Sequence, residues 1–387
     1  MWYVKLWIKE RMECYDYMNI KTDDERINKI KNVEIQIKNQ HGKIYIWGCS
    51  QTARMVAKFC CEHTNLNIEA YVVDDTYYQE DFFEGKQVYK ASEWMKFANA
   101  GDFVIFGFTN SKVAKKLKQT LPKGVEGIYF CFPYSNNVNG EYLTYQKFKD
   151  NQSRFEKTYK LLKDDFSRQV MEAFINACIS GNIEQIEKLE TEDQYFNELT
   201  KSIQDGCFVD LGAYIGDTIE GAYHFYGERL RKVVAFEPDP YNIEVLKQRV
   251  RKCGIEDSKI QLITKGSWSK QETLYFSTSN SSSSISDTGD IEIEVDSLDN
   301  ILENNVMPVS YIKMDVEGSE MESLLGAKDT IKKNHPILAV CVYHKPEDLY
   351  NITELIQELA GKKQYDYYLR YHGTDLRELV LYVIPTK

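Results

Sequence analysis

Apolar positions along this chain change period several times, and the changes divide it. Ile27, Ile30, Val33 and Ile37 recur at helical spacing in a stretch otherwise rich in Lys, Glu and Asn, which predicts a leading helical segment over residues 1–40. At Lys43 short continuous apolar runs begin, at 44–48, 68–73, 103–108 and 128–132, with helix-period stretches at 52–61 and 112–121 between them. Strands alternating with helices at this pace predict a small parallel α/β domain over 41–139. From 140 to 205 the period returns to three, four and seven. Phe148, Phe155, Tyr159, Leu162, Phe166, Val170, Phe174 and Ala177 form one amphipathic stripe, broken at Ser180-Gly181-Asn182 and continued by Ile183, Ile186 and Leu189. A helical linker explains them, with the aromatic stripe as core. Tyr195 and Phe196, just before the next domain, are read as packing, with a lid over a site as the alternative.

From 206 to 387 the runs shorten again. Strands are expected at 207–212, 233–237, 260–264, 310–315, 337–343, 367–371 and 380–384, with helices at 219–226, 241–253, 297–303 and 319–333 separating the first five. The last two are joined by a short polar connection, which predicts an antiparallel closing pair. Residues 277–286, with Ser281 to Ser284 unbroken, read on composition alone as a flexible linker, and their position makes a mobile substrate loop the alternative.

The candidate chemistry starts at 207–218, Cys-Phe-Val-Asp-Leu-Gly-Ala-Tyr-Ile-Gly-Asp-Thr: strand, tight glycine loop, helix start. Gly212 and Gly216 let the backbone turn and approach a ligand, and Glu237 at the end of the next strand offers a carboxylate for two hydrogen bonds from a ribose diol. The spacing is Asp-x-Gly-x-x-x-Gly, not Gly-x-Gly-x-x-Gly, with Tyr214 near the place of the second glycine. A pyrophosphate is therefore disfavoured. S-adenosylmethionine carries no phosphate, and its sulfonium and amino group suit an acid such as Asp210, so it is the expected cofactor.

A chain of 387 residues accommodates two cores, and its 28% charged and 43% hydrophobic composition is that of an ordinary globular protein. The net charge of −11 argues against a nucleic-acid partner or a polyanionic substrate. Nine cysteines without Cys-x-x-Cys spacing suit neither a zinc site nor a disulfide framework, which points to a reducing, cytoplasmic setting. Residues 2–8 are apolar apart from Lys5 but too short to span a bilayer, and read as a helix packed on the first domain.

The segment Ser310-Tyr311-Ile312-Lys313-Met314-Asp315-Val316-Glu317-Gly318-Ser319-Glu320, with the loop upstream and Tyr343-His344 downstream, resembles the FkbM family of methyltransferases over about 195–387. The resemblance implies a class I methyltransferase fold, a Rossmann-like seven-stranded sheet, here preceded by the smaller α/β domain and the helical linker. It implies adenosylmethionine as methyl donor and O-methylation of a sugar or natural-product hydroxyl. Carried over by position, Asp210, Gly212, Ala213, Tyr214, Gly216, Asp217 and Thr218 form the cofactor loop, and Glu237-Pro238 supplies the ribose-binding acid. Ser267-Trp268 falls where the adenine lies, with Trp268 either stacking on the base or filling core.

Asp315 and Glu317 end the fourth strand and His344 the fifth, and His372 follows the sixth, so all four are expected at the ligand-binding crevice. Neutral His344 is the first candidate for a base and Asp315 the second, with Glu317 orienting the acceptor. Asp315, Glu317 and a histidine are also ligand types for a divalent cation, though no metal is assigned.

The first domain resembles the small Rossmann-like domain of some sugar-modifying acyltransferases, through Trp47-Gly48-Cys49 and Asp74-Asp75. Ser50 and Ala53 replace two fingerprint glycines, so dinucleotide binding and a nucleotide-sugar oxidoreductase are disfavoured. Partner docking and binding of a sugar nucleotide or glycan stay open, with Asp75 the first position to test. The reading is adenosylmethionine-dependent O-methylation of a sugar or glycan hydroxyl by in-line transfer. The expected acceptor is a small molecule or glycan, with a nucleotide sugar among the candidates. The alternatives are a non-catalytic cofactor- or sugar-binding scaffold, or methylation of a non-sugar small molecule.

Overall fold

The computed structural model describes residues 18–132, 142–203, 206–279, 282–285, 291–303, 307–361, 365–373 and 375–386. The helix expected at 2–8 lies outside them. The leading helix is Glu25–Gln40, opened by the Asp24 carboxylate, which accepts from the Arg26 amide. Its Ile30 and Val33 pack into the first domain.

That domain carries a six-stranded sheet in the order Phe82–Phe83, Lys86–Lys90, Ile68–Val73, Ile44–Trp47, Phe103–Phe106, Glu126–Tyr129. All pairs are parallel except the two-residue edge strand. The sequence reading finds the other four strands, the last expected at 128–132 and lying at Glu126–Tyr129, and misses the pair at the opposite edge, where charges interrupt the apolar run. The two faces hold separate cores, one around Ile30 and Phe59, the other around Trp47, Trp94 and Phe106.

The linker has three helices before the expected break at Ser180, Tyr145–Asp150, Gln152–Leu161 and Asp165–Ser180, where one was expected, and the expected second helix is the short Glu184–Glu187. The break at Leu162 has a purpose in the fold. Leu162 bridges Tyr367, and the Lys163 amide donates to the Tyr367 carbonyl at 2.8 Å, so the chain covers an edge strand that would otherwise expose unpaired backbone groups. Asp164 then caps the next helix, accepting from Ser167. Arg26 ties the parts together. Fully buried, it donates to Asp24 and to the carbonyls of Cys131 in the first domain and Cys178 and Ile179 in the linker.

The second domain is built on seven strands: β1 Gly206–Leu211, β2 Leu230–Phe236, β3 Ile260–Ile263, β4 Val309–Met314, β5 Ile337–Cys341, β6 Tyr365–Tyr371 and β7 Leu379–Pro385. Their order is β6-β7-β5-β4-β1-β2-β3, with β7 alone antiparallel to its neighbours. This is the expected Rossmann-like class I layout. Strand order reverses between β1 and β4, which puts the ligand crevice at their carboxyl ends.

Three expectations for this domain need correction. The helix expected at 319–333 is two, Glu320–Leu325 and Lys328–Asn334, because at Gly326 the backbone passes so close to Trp268 that a Cβ would sit 2.0 Å from its carbonyl oxygen. A further helix, Asp348–Ala360, joins β5 to β6, and its buried Leu349, Ile352, Ile356 and Leu359 carry the period that would have revealed it. The serine-rich run is not a linker. Glu272–Ser279 pairs antiparallel with Ser282–Ile285 within a second sheet of four strands, completed by Gly266–Ser267 and Ile291–Asp296. Among the described residues no helix is long and apolar enough to cross a membrane.

Candidate functional site

The loop after β1 turns through alternating left-handed residues, Gly212 (φ 85°), Tyr214 (φ 48°) and Gly216 (φ 79°), before the helix Asp217–Tyr226. Gly212 is needed for space as well as conformation: a Cβ there would lie 1.9 Å from the Asp315 carbonyl oxygen. The cofactor loop and the end of β4 are therefore in direct backbone contact. Ala213 is buried beneath the loop, its amide bonded to the Phe236 carbonyl, while Tyr214 is exposed. Asp217 is exposed and Thr218 half-buried in the first helical turn.

Asp210 does not offer its charge to a ligand. Its side chain is fully buried and pairs at 3.1 Å with the ammonium of Lys313 on β4, which also donates to the Gly212 carbonyl at 2.6 Å. Burial pushes the Asp210 carboxyl up to about 6, against the pull of Lys313, so the acid is ionised near neutral pH. The pair braces the loop from below. Lys313 carries a sequence signal of its own, a cation at the centre of an apolar strand.

Glu237, immediately before Pro238, is buried and clamps the loop to the next helix. Oε2 accepts from the Tyr214 amide at 2.8 Å, and Oε1 from the Asp239 amide at 2.9 Å and the Asn242 side chain at 3.2 Å. A carboxylate has about four acceptor sites. Three are taken, leaving room on Oε2 for one further bond, not the two expected of a ribose diol.

Ser267 is buried on the small sheet, its hydroxyl without a protein partner among the described residues, and its carbonyl accepts from Ser323. Trp268 is half-buried, and its indole N–H donates to Glu272 at 2.7 Å, which fixes the ring. These residues fit an adenosylmethionine: a phosphate-free loop of internally bonded amides, one open acceptor on Glu237, and a buried hydroxyl with an unused bond.

Beyond the loop, β4 and β5 bring Asp315, Glu317 and His344 together. Nε2 of His344 is 3.5 Å from Asp315 Oδ1 and 3.6 Å from Glu317 Oε2, while Nδ1 is 2.9 Å from Glu320 Oε1. Glu317 takes a left-handed backbone (φ 53°) and projects to solvent, whereas His344 and Glu320 are buried. Glu320, part of the recognised segment but not singled out in the sequence reading, also accepts from the amides of Val316 and Gly318. Burial alone would strip the proton from His344. Glu320 first, then Asp315 and Glu317, overcome it and push the imidazole up to about 10.

The three carboxylates around His344 thus favour its protonated ring over the neutral base expected from the sequence. Donor atoms of Asp315, Glu320 and His344 fall within 4.8 Å of one another, a grouping that could hold a metal ion.

His372 is corrected too. Its Nδ1 lies 2.9 Å from the Thr191 carbonyl, which can only accept, and its Nε2 lies 2.8 Å from the Tyr382 hydroxyl. Both nitrogens hold the linker against β7, and burial pulls the ring's pKa down.

In the first domain, Asp75 accepts from the amide and hydroxyl of Ser92, so it is spent on a helix start. A Cβ on Gly48 would meet the Gly107 carbonyl at 2.9 Å. Asp375 of the second domain accepts from the Ser111 amide at 3.1 Å and the Tyr129 hydroxyl at 3.0 Å, at the start of the helix Ser111–Thr120.

Comparison with known proteins bears on the fold. The structure superposes on a crystal structure of methyltransferase FkbM from Methylobacillus flagellatus KT with a TM-score of 0.68 and 20% identity, covering 91% of this chain and 93% of that one. More distant likenesses include an rRNA methylase from Streptococcus thermophilus (TM-score 0.33, 15% identity, 49% of this chain and 92% of that one). Another is Aeropyrum pernix fibrillarin with natively bound S-adenosyl-L-methionine (TM-score 0.32, 13% identity, 48% of this chain and 69% of that one). No curated protein matches the sequence. The loop, the acid after β2 and the carboxylate cluster after β4 all fall within residues 210–369, and that segment matches the methyltransferase FkbM domain.

Proposed function

We propose that this methyltransferase uses S-adenosylmethionine to methylate a hydroxyl of a sugar or glycan, with Asp315 receiving the hydroxyl proton. The observation that carries the reading is the backbone contact between Gly212 and Asp315, which sets an acid group against the cofactor loop. Residues 212–218 and Glu237 would hold the cofactor, with Ser267 and Trp268 beside its base. When bound, adenosylmethionine supplies an electrophilic methyl group.

The chain's own task is alignment and proton transfer. Orientation can supply roughly 7 to 11 kcal/mol and a general base about 10²- to 10⁴-fold. Asp315 is partly open to the crevice, and Nε2 of His344 at 3.5 Å orients its carboxylate. Glu317, exposed on a left-handed turn, would orient the acceptor. Three carboxylates around one cation favour a neutral polyhydroxyl acceptor over one rich in phosphate.

The test is incubation with methyl-tritiated adenosylmethionine and either glycan extracts or nucleoside diphosphate sugars, with mass spectrometry of the labelled product. Label on a sugar oxygen supports the reading. Label on nitrogen or carbon, or cofactor binding without transfer to any hydroxyl, overturns it.

A further inference from the structure

Tyr195 lies in the linker, outside the residue sets assigned above, yet it reaches the site. Its backbone is left-handed (φ 67°), a costly conformation for a residue with a bulky side chain. Three bonds hold it there. Its amide donates to the Tyr382 hydroxyl at 2.9 Å, and its carbonyl accepts from the Tyr311 hydroxyl at 2.7 Å and from Thr200 at 2.9 Å. The ring is buried beneath the site, with the Lys313 ammonium 5.5 Å from its centroid.

This scaffolding delivers one polar atom. The Tyr195 hydroxyl is 3.2 Å from Asp315 Oδ2 and 3.4 Å from Cys341 Sγ. A carboxylate can only accept, so the hydroxyl donates to Asp315, and the Cys341 thiol is left to donate to the phenol oxygen. Asp315 is then held at both ends, Oδ2 by Tyr195 and Oδ1 facing His344.

We infer that Tyr195 is a positioning residue that fixes the rotation of the Asp315 carboxylate, making the linker part of the catalytic machinery. The inference rests on the proposed role of Asp315, and its test separates the two.

Tyr195→Phe keeps the ring and removes only the hydroxyl. The expected result is a fall in kcat of about ten- to a hundredfold in the labelled-methyl assay, as for a lost hydrogen bond to a charged group. The Kd for adenosylmethionine and the KM of the labelled acceptor should stay within about twofold, a split that general loosening of the fold would not give. In the double variant with Asp315→Asn, removing the hydroxyl should cost nothing more.

A crystal structure of Tyr195→Phe gives a readout that needs no acceptor: the Asp315 carboxylate should turn away from its present orientation. An unchanged carboxylate, or wild-type kcat, overturns the inference. Full activity in Asp315→Asn alone overturns the underlying reading instead.

Discussion

Replacing Gly212 by Ala tests the contact on which the site depends, and its cost can be worked from two separate terms. The left-handed φ of 85° costs a side-chain-bearing residue about 1–2 kcal/mol. The new methyl would lie 1.9 Å from the Asp315 carbonyl oxygen, a backbone atom that cannot rotate away and must retreat by more than about 1 Å. Overpacking of this kind costs about 1–3 kcal/mol, giving roughly 2–5 kcal/mol in all. Gly254→Ala is the control: its φ is 70°, but nothing lies within 4 Å of the added methyl, so it bears the conformational term alone.

For a domain of this size each kcal/mol moves the melting temperature by about 2–4 °C. Gly212→Ala should therefore melt roughly 4–20 °C below wild type and Gly254→Ala about 2–8 °C below, by differential scanning calorimetry. Because the displaced carbonyl belongs to Asp315, methyl transfer in Gly212→Ala should fall by about a hundredfold even at saturating cofactor. Equal melting temperatures for the two variants, with methyl transfer intact in Gly212→Ala, would refute the close approach of loop and strand.

Two further outcomes follow from the charges. His344 titrates near 6.5 unfolded and at about 10 folded, so the stability it contributes is fully present below pH 6.5 and lost as pH rises toward 10. The loss is at most about 5 kcal/mol, with the Glu320 pairing counted once. Asp348, pushed to about 8 mainly by burial, adds a loss in the same direction between pH 4 and 8. Urea midpoints should fall between pH 6.5 and 9.5 in wild type and much less in His344→Gln. Glu237→Gln should weaken adenosylmethionine binding by about ten- to a hundredfold in calorimetry, since it removes the charge from the bonds at a buried site. Unaltered affinity would remove Glu237 from the cofactor site.

Much of this protein was legible in the sequence because its signals are local. The seven strands of the second domain are apolar runs, three of them closed by Gly212, Glu237 and Asp315, and Asp315, Glu317 and His344 stand at strand ends, where topology alone brings them together. What escaped needed distance information. The linker's helical stripe is continuous through Leu162, and only the pairing with Tyr367, about two hundred residues away, breaks it. The charge state of His344 depends on Glu320 behind it, and spacing does not say which nitrogen a carboxylate will face. His372 shows the opposite error: a histidine at the right edge whose two nitrogens are consumed, one by the linker and one by Tyr382 on β7. Asp210 is the subtler case, because its place in the motif is right while its charge is met from beneath by Lys313.

The central claim is that Asp315 acts on the acceptor and takes no part in holding the donor. Asp315→Asn decides it in one pair of measurements, calorimetric binding of adenosylmethionine and labelled-methyl transfer by the same preparation. The account predicts a Kd within about twofold of wild type with transfer reduced by about 10²- to 10⁴-fold. Transfer at the wild-type rate, or loss of cofactor binding in step with loss of transfer, would contradict it.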